Sequence, residues 1–379
     1  MILVVDENIS FAEEAFSQFG EVRLLPGRKI TRETLLSADA LIVRSITKVD
    51  GNLLRDTPVK FVGTATIGTD HIDLEYLKSN KIIFKDAAGC NADAVAEYVF
   101  TSISLLANEY SFSFEEKTLG VIGVGNIGSR VARLAESVGM KVLKNDPPLQ
   151  RRTGSNEYVS LEKALNADII TFHVPLNLEG VDKTFHLINA EKLSSLKRGT
   201  ILINASRGQV IDNSLLVKFI KEKSLLVNLD VWENEPDINI DLLNQVCIAT
   251  PHIAGYSLEG KINGTVIIYN ALCSFLQVKP MWNPIFQKVR ENEIIINYNG
   301  KLTATLNNMF KSAYAIKEDD TRMRIIENLD KKDRSAYFDK LRKEYPFRRE
   351  FSNYKAVISN GDERILNIIK SFRFQVEII

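Results

Sequence analysis

Cysteine is scarce in the 379-residue sequence, and long hydrophobic runs are missing. The three cysteines, Cys90, Cys247 and Cys273, show neither metal-ligand spacing nor a disulfide framework, and an odd number fits a reducing compartment. No apolar run reaches the roughly 20 residues that span a bilayer. The first residues, MILVVDENIS, lack the basic region of a signal peptide. We therefore expect a cytoplasmic protein without a membrane partner.

An excess of charge of either sign is also missing. The chain has 48 basic and 48 acidic residues, so no net charge attracts nucleic acid or an anionic membrane surface. An anionic substrate must therefore be held by a local group of basic side chains. The proportions of apolar residues (45%) and charged residues (25%) are ordinary for a globular protein of two or three domains.

Short apolar runs alternate with helical stretches in two successive blocks. The first block contains MILVVD, ALIVRSI and KIIFKDA and ends in the long helical stretch ADAVAEYVFTSISLLANEY. The second begins at TLGVIGVGNIG and ends near PHIAGY. Buried strands that alternate with helices indicate parallel sheets covered on both faces. The sequence therefore predicts the α/β class, with two doubly wound parallel-sheet domains.

Two further segments complete the predicted organisation. A helical pattern from Ser257 to Leu276 predicts that the chain returns to the first block. The C-terminal residues carry mixed charge, strand-like and helical stretches, and no catalytic signature, which is typical of a covering or oligomerisation domain. We predict three domains, with residues 1–108 and 257–285 in the first, 109–256 in the second, and 286–379 in a C-terminal α+β domain.

The segment GVGNIG has the spacing of a dinucleotide-binding loop between a strand-like and a helix-like stretch. Gly123 permits a tight turn, Gly125 lets the backbone approach a pyrophosphate, and Gly128 lets the helix pack against the strand. The amide groups at the helix N-terminus attract phosphates. Asp146 lies 18 residues after Gly128, where it suits the ribose hydroxyls and repels a 2′-phosphate. The sequence therefore predicts a site for NAD.

Arg207, Glu235 and His252 each follow a different strand of the second block. Removing hydride from a hydroxyl-bearing carbon needs a base for the hydroxyl proton and a cation that polarises the forming carbonyl. An arginine matches a carboxylate in bidentate fashion, and a carboxylate beside a histidine stabilises the imidazolium. Asp230 and Glu233 lie close to Glu235, so the motif alone leaves open which acid faces the site. His252 is the best candidate for the proton carrier.

The other three histidines are weaker candidates for proton transfer. His173 follows a strand and is placed to line a cofactor cleft. His186 lies in an irregular segment, and His71 begins a predicted helix. A packing or capping role is therefore the expectation for each.

The motifs GVGNIG, HVPL, ILINASRG, LDVWENEP and PHIAGY together resemble the D-isomer-specific 2-hydroxyacid dehydrogenases, over about residues 1–280. The resemblance implies a flavodoxin-like substrate domain and a Rossmann NAD domain. It implies that Arg207 binds and polarises the substrate and that His252 is the acid/base paired with Glu235. It implies no metal. The other implied site residues are Gly123, Gly125, Asn126, Ile127, Gly128, Asp146, Val174, Ala205, Ser206, Asp230 and Gly255 for NAD, and Ser45, Thr66 and Tyr256 for substrate.

The segments VRSITKV, NDPP and PHIAGYSLEGK are similar to those of members that act on a small phosphorylated 2-hydroxy acid and form homodimers through a C-terminal domain. Val174 and Ser206 depart from the threonine and cysteine frequent in those members. One alternative is a dehydrogenase for 3-phosphoglycerate or another 2-hydroxy acid, with a different wall near Thr66 and Tyr256. A second alternative is a non-catalytic NAD-sensing protein related to corepressors.

Overall fold

A computed structural model describes residues 1–285, 289–346 and 348–379 and divides the chain into two compact units. Unit one comprises Met1–Asn91 and Ser257–Gln287, and unit two comprises Ala92–Tyr256 and Lys288–Ile379. The predicted start of the C-terminal domain at residue 286 lies outside the described residues. None of the described helices combines the length and the apolar character needed to cross a membrane.

The strands are numbered along the chain. They are β1 (Ile2–Asp6), β2 (Glu21–Leu25), β3 (Ala40–Val43), β4 (Phe61–Thr64), β5 (Ile83–Asp86), β6 (Thr118–Ile122), β7 (Lys141–Asn145), β8 (Ile169–Phe172), β9 (Ile201–Asn204), β10 (Leu226–Leu229), β11 (Ile248–Ala249), β12 (Glu293–Asn297), β13 (Lys355–Ser359) and β14 (Gln375–Ile378). The strands β1, β3, β5 and β6 lie within the apolar stretches MILVVD, ALIVRSI, KIIFKDA and TLGVIGVGNIG.

The α-helices are numbered in the same way. They are α1 (Ala12–Phe16), α2 (Arg32–Leu35), α3 (Gly51–Leu54), α4 (Leu74–Ser79), α5 (Ala92–Glu109), α6 (Asn126–Ser137), α7 (Pro147–Thr153), α8 (Leu161–Leu165), α9 (Ala190–Ser195), α10 (Asn213–Lys223), α11 (Ile240–Leu243), α12 (Leu258–Leu276), α13 (Leu302–Ala313), α14 (Ile316–Arg324), α15 (Lys331–Lys343) and α16 (Glu363–Ser371).

Unit one is built on a five-stranded parallel sheet in the order β2-β1-β3-β4-β5. This order is that of flavodoxin-like folds, as the family resemblance implies. Alternate residues of the interior strand β1 enter different cores, because successive side chains point to opposite faces of the sheet. Leu3 and Val5 pack in one core with Tyr269 of α12, whereas Val4 packs in the other with Leu35 of α2.

Unit two contains a six-stranded parallel sheet in the order β11-β10-β9-β8-β6-β7. Tyr158 forms a parallel bridge with Lys144 beyond the outer strand β7, so a further strand is reduced to one residue pair. The strand order reverses between β6 and β8, and in open α/β sheets a ligand binds at that point, outside the carboxyl ends of the strands. The Rossmann architecture predicted for the second block is confirmed.

Residues 289–346 and 348–379, called the C-terminal block below, fold within unit two. Their three strands form a parallel sheet in the order β12-β13-β14. Helix α13 packs on α5, and Phe310 of α13 lies in one core with Tyr98 of α5 and Val121 of β6. Phe310 also stacks on Phe351 with ring centroids 5.1 Å apart. Helix α5 thus belongs to unit two, and the predicted division into three domains stays a prediction.

Candidate active site

The glycine loop after β6 has the geometry of a dinucleotide cradle. Gly123 has φ +86°, and a Cβ there would lie 2.6 Å from the carbonyl oxygen of His173. A Cβ on Gly128 would lie 1.9 Å from the carbonyl oxygen of Gly123, so the helix can approach the strand only without a side chain. A Cβ on Gly125 would meet no atom within 4 Å. The open side of the loop therefore faces outward at the N-terminus of α6, where Asn126 and Ile127 present backbone amides.

Asp146 lies at the end of β7, beside the glycine loop, and begins helix α7 as its N-cap. Its Oδ2 accepts a hydrogen bond from the amide of Val124 at 2.8 Å, and its Oδ1 accepts one from the amide of Leu149 at 2.9 Å. These bonds fix the carboxylate next to the loop. Each oxygen has a second lone pair, so the residue remains able to accept hydrogen bonds from ribose hydroxyls.

The remaining residues expected near the cofactor follow the next strands. Val174 follows β8, and Ala205 follows β9, and both are half-buried. Ser206 is buried, and its hydroxyl donates to Oδ1 of Asn204 at 2.8 Å. Gly255, half-buried, lies in the loop between β11 and α12. The carboxyl ends of parallel strands meet at one edge of the sheet, so the prediction that these residues line a common edge is consistent with the topology.

His252 and Glu235 form the central pair of the site. Nδ1 of His252 lies 2.7 Å from Oε2 of Glu235, and Oε1 of Glu235 accepts the amide proton of Trp232 at 2.8 Å. The His252 side chain keeps 33% of its surface exposed, whereas that of Glu235 keeps 18%. Among the described residues, none bonds to Nε2 of His252. The pair therefore has an oriented imidazole whose second nitrogen is available to a ligand.

The pKa of Glu235 is lowered from its ordinary value. Burial raises the pKa of this carboxyl, but several neighbours outweigh burial by favouring the charged form. They are the charge and hydrogen bond of His252, the amide of Trp232 and the charge of Arg342. Glu235 is therefore a carboxylate at neutral pH and is suited to stabilise an imidazolium.

Asp230 anchors the loop that carries His252. Its Oδ1 accepts the amide proton of Ile253 at 2.7 Å, and its Oδ2 accepts that of Ala254 at 2.9 Å. The amide of His252 donates to the backbone carbonyl of Asp230 at 2.7 Å. These bonds support a backbone in which His252 adopts φ +58°, an uncommon value for a residue with a side chain. Asp230 is 1% exposed, so its position in the structure is that of a buried support.

Arg207 follows β9 in a loop that lies directly on the loop after β10. A Cβ on Gly208 would be 2.0 Å from the carbonyl carbon of Trp232, so only glycine allows this approach. Nη1 of Arg207 donates to the carbonyl of Ser206 at 2.7 Å, and the amide of the Asn204 side chain donates to the carbonyl of Arg207 at 2.9 Å. The half-buried guanidinium thus lies on the loop adjacent to the segment that leads to Glu235.

The sequence left open which acid of this loop faces the site, and the structure gives Glu233 and Glu235 different partners. Glu235 pairs with His252, whereas Oε1 of Glu233 lies 2.6 Å from Nε2 of His186. His186, Glu233 and Asp212 have ligand atoms within 4.8 Å of one another and so could hold a metal ion. Burial lowers the pKa of His173 to about 3, which makes it unsuited to proton transfer near neutral pH.

In unit one, the residues expected to contact substrate follow two neighbouring strands. Ser45 is exposed two residues after β3, and Thr66 is half-buried two residues after β4. The hydroxyl of Thr66 lies 2.8 Å from that of Thr64, which is itself 3.1 Å from Nε2 of His71. Both expected substrate residues thus lie at the carboxyl edge of the sheet, the edge at which open α/β sheets bind ligands.

Tyr256 has a neighbour that the sequence did not suggest. Nη2 of Arg342, in the last turn of α15, donates to the Tyr256 hydroxyl at 3.3 Å. Arg342 comes from the C-terminal block, for which the sequence shows no catalytic signature. Phe338 lies four residues earlier and is fully buried, so Arg342 projects from the packed face of an otherwise charge-rich helix. That position is the one sequence signal that distinguishes it from surface arginines.

A second arginine of the C-terminal block supports the same loop. Nη2 of Arg348 donates to the carbonyl of Ala254 at 2.5 Å and to that of Ala94 at 3.1 Å. Its guanidinium stacks over the ring of Tyr314 at 4.2 Å from the centroid. Burial lowers the pKa of Arg348, but the surrounding tyrosines and carboxyl groups raise it above the ordinary value overall. Arg348 therefore remains charged while it fixes the backbone beside Gly255.

Comparisons with known proteins show the family to which the chain belongs. The family described as "D-isomer specific 2-hydroxyacid dehydrogenase, NAD binding domain" matches residues 95–254, and a "Domain of unknown function (DUF3410)" matches residues 287–369. A relative from Proteus mirabilis, named erythronate-4-phosphate dehydrogenase, is 46% identical over 95% of this chain and 96% of its own. A relative of the same name from Photorhabdus laumondii is 43% identical over 100% of both chains.

Solved structures give the same family. A D-lactate dehydrogenase from Aquifex aeolicus, complexed with NAD and lactic acid, is 28% identical with a TM-score of 0.60, over 73% of this chain and 96% of that one. An NAD-bound 3-phosphoglycerate dehydrogenase from Entamoeba histolytica is 26% identical with a TM-score of 0.63, over 76% and 99%. The chain therefore belongs to the D-isomer-specific 2-hydroxyacid dehydrogenases, which makes it an NAD-dependent oxidoreductase.

Proposed function

We propose that this chain oxidises 4-phospho-D-erythronate at C2 with NAD, giving (R)-3-hydroxy-2-oxo-4-phosphonooxybutanoate, a step of pyridoxal 5′-phosphate (vitamin B6) biosynthesis. The names of the relatives that align over almost the whole chain support this substrate. The observation that carries the chemistry is the 2.7 Å contact between Nδ1 of His252 and Oε2 of Glu235. It is the contact expected of an acid/base whose second ring nitrogen faces the substrate.

The proposed roles follow from charge and geometry. His252 takes the proton of the C2 hydroxyl at Nε2, and Glu235 holds the ring and stabilises the imidazolium that results. Arg207 binds the carboxylate and polarises the carbonyl oxygen that forms at C2. Ser45, Thr66 and Tyr256 contact the rest of the substrate. NAD, when held by the residues named below, would supply the acceptor for the hydride that leaves C2.

The cofactor fits the residues that are present. The glycine loop has an open side at Gly125, where the pyrophosphate would contact the amides that begin α6. Asp146 would accept hydrogen bonds from the adenosine ribose. The other residues proposed to line the NAD site are Gly123, Asn126, Ile127, Gly128, Val174, Ala205, Ser206, Asp230 and Gly255.

We further propose that the enzyme acts in the cytoplasm as a homodimer, with three domains divided as the sequence predicts. The C-terminal block would supply the dimer interface, because the family domain that matches it is an addition to the dehydrogenase unit. No disulfide joins the three cysteines, which suits a reducing compartment.

The test is a comparison of kcat/KM for 4-phospho-D-erythronate and 3-phosphoglycerate, using the wild-type chain and the variant His252→Asn. We expect 4-phospho-D-erythronate to be preferred, and the variant to lose about 1,000-fold in kcat with NAD affinity nearly unchanged. A clear preference for 3-phosphoglycerate would contradict the proposed substrate, and would favour the alternative suggested by the Entamoeba histolytica neighbour. Unchanged turnover in the variant would remove His252 from the mechanism.

A further inference from the structure

We propose that Arg342 of the C-terminal block binds the phosphate group of the substrate and so sets the preference for phosphorylated acids. This inference rests on the proposed function, because it takes a phosphorylated 2-hydroxy acid as the ligand. A substrate with both a carboxylate and a phosphate needs more than one cation. Arg207 is assigned to the carboxylate, which leaves the phosphate without a partner in unit two.

Helix α15 holds Arg342 in a fixed position. Phe338, four residues earlier, is fully buried in the core that also contains Trp232, and Leu341 packs against the same core. The hydroxyl of Tyr337 donates to the carbonyl of Arg322 at 3.2 Å, which ties α15 to α14. Because residues four apart lie on the same face of a helix, the packing of Phe338 directs Arg342 toward the interior of unit two.

The guanidinium of Arg342 has no acidic partner. Among the described residues, no carboxylate oxygen lies within 4.0 Å of it, whereas Arg322 and Arg324 of α14 each pair with an aspartate, at 3.0 and 2.9 Å. Its Nε is buried without a hydrogen-bond partner. Arg342 is half-buried, and the charges of Glu235 and Asp230 act on it without forming an ion pair, so its guanidinium can take an anionic ligand.

The position of Arg342 relative to the reacting groups suits a phosphate at C4. Its Nη2 lies 3.3 Å from the hydroxyl of Tyr256, the residue four positions after His252. Its charge also contributes to lowering the pKa of Glu235, which places it within electrostatic range of the acid/base pair. In 4-phospho-D-erythronate, C3, C4 and an ester oxygen separate C2 from phosphorus. Such a substrate therefore requires a cation that lies near the His252–Glu235 pair without bonding to it.

The other arginine of the C-terminal block near this loop is unsuitable. Arg348 is 7% exposed, and its Nη2 already donates to the carbonyls of Ala94 and Ala254. Arg342 by contrast is half-buried and uses one nitrogen on a hydroxyl that is also able to bind phosphate. Its planar fork gives two parallel hydrogen bonds to a phosphate, which a lysine cannot do.

The experiment measures kcat/KM for phosphorylated and unphosphorylated acids with three variants of the full chain. They are Arg342→Gln, which removes the charge, Arg342→Lys, which keeps the charge without the fork, and Lys340→Gln, an exposed control on the same helix. The substrates are 4-phospho-D-erythronate and D-erythronate. For Arg342→Gln we expect a loss of about 100-fold with the phosphorylated acid and less than threefold with the other. For Arg342→Lys we expect about 10-fold, and for Lys340→Gln no change.

Inorganic phosphate gives an independent readout as a competitive inhibitor of D-erythronate oxidation. Its inhibition constant should rise about 100-fold in Arg342→Gln and remain unchanged in Lys340→Gln. An equal loss on both acids, or an unchanged inhibition constant, would overturn the assignment of Arg342 to the phosphate. If Arg342→Gln does not fold, the same two outcomes in Arg342→Lys decide.

Failure of the proposed function gives a different result. If the wild-type chain prefers 3-phosphoglycerate, the substrate proposal is wrong, and 3-phosphoglycerate and D-glycerate replace the first pair in the same test. The phosphate preference and its dependence on Arg342 then remain measurable.

Discussion

Residues at the strand ends of the six-stranded sheet and residues of the C-terminal block both lie at the loop between β11 and α12. Only those at the strand ends can be recognised from the sequence. At the strand ends, each polar residue follows an apolar run, so Asp146, Arg207 and His252 stand out in the sequence. In the C-terminal block, Arg342 and Arg348 lie among many surface charges. Both nevertheless contact the loop that contains Ala254 and Tyr256. A search of strand ends alone therefore misses residues of a later segment that contact the same loop.

We predict that the catalytic groups lie at the strand ends of the six-stranded sheet. Replacing Glu235 by Gln removes the charge that stabilises the His252 imidazolium, and we expect kcat to fall about 1,000-fold, or about 4 kcal/mol. Steady-state kinetics measures this. Glu233→Gln is the matched control, because Glu233 lies two residues away and pairs with His186 instead. Equal losses in both variants would mean that the whole acidic loop, and not one acid, supports catalysis.

In the C-terminal block, we expect Arg348 to contribute mainly to the stability of the folded chain. In Arg348→Met, two backbone carbonyls lose their donor and nearby carboxyl groups lose a cation, so we expect unfolding free energy to fall by about 3 kcal/mol. Urea unfolding measures the change. Arg349→Met, at the neighbouring residue, should cost under about 1 kcal/mol, since Arg349 is only partly buried. A small loss in Arg348→Met would show that the block is attached elsewhere.

The smallest predicted effect is a change in the pH dependence of stability, and it comes from Glu97 of α5. Its Oε1 accepts the amide proton of Phe351 at 2.9 Å. Burial, together with the charge of Glu350, raises the pKa of Glu97 well above its ordinary value. The folded state thus binds a proton more tightly than the unfolded state. This contribution to stability is complete below the ordinary carboxyl pKa and is lost as pH rises through the raised one.

In Glu97→Gln, that titration is absent while an acceptor for the Phe351 amide remains. We expect the melting temperature of the variant to respond less unfavourably than that of the wild type as pH rises above the ordinary carboxyl pKa, with a stability change at neutral pH under about 1 kcal/mol. Thermal unfolding at several pH values measures this. A slope identical to that of the wild type would assign the titration to another group.

Most of the fold could be predicted from the sequence, because buried strands and amphipathic helices have regular apolar patterns. The glycine loop was equally accessible, since Gly123 and Gly128 are required by backbone geometry. The choice between Glu233 and Glu235 was not, because two residues in one loop differ only in the direction of their side chains. Nor was the contact between Tyr256 and Arg342, which joins positions 86 residues apart.

Arg348 also binds two segments that lie close to points at which the chain passes from one unit to the other. Two of the three points at which the chain crosses from one unit to the other lie after Asn91 and after Tyr256. The two carbonyls that Arg348 binds, those of Ala94 and Ala254, lie within three residues of these crossings, both on the side of unit two. A single side chain thus links, within unit two, the segment that follows one crossing and the segment that precedes the other.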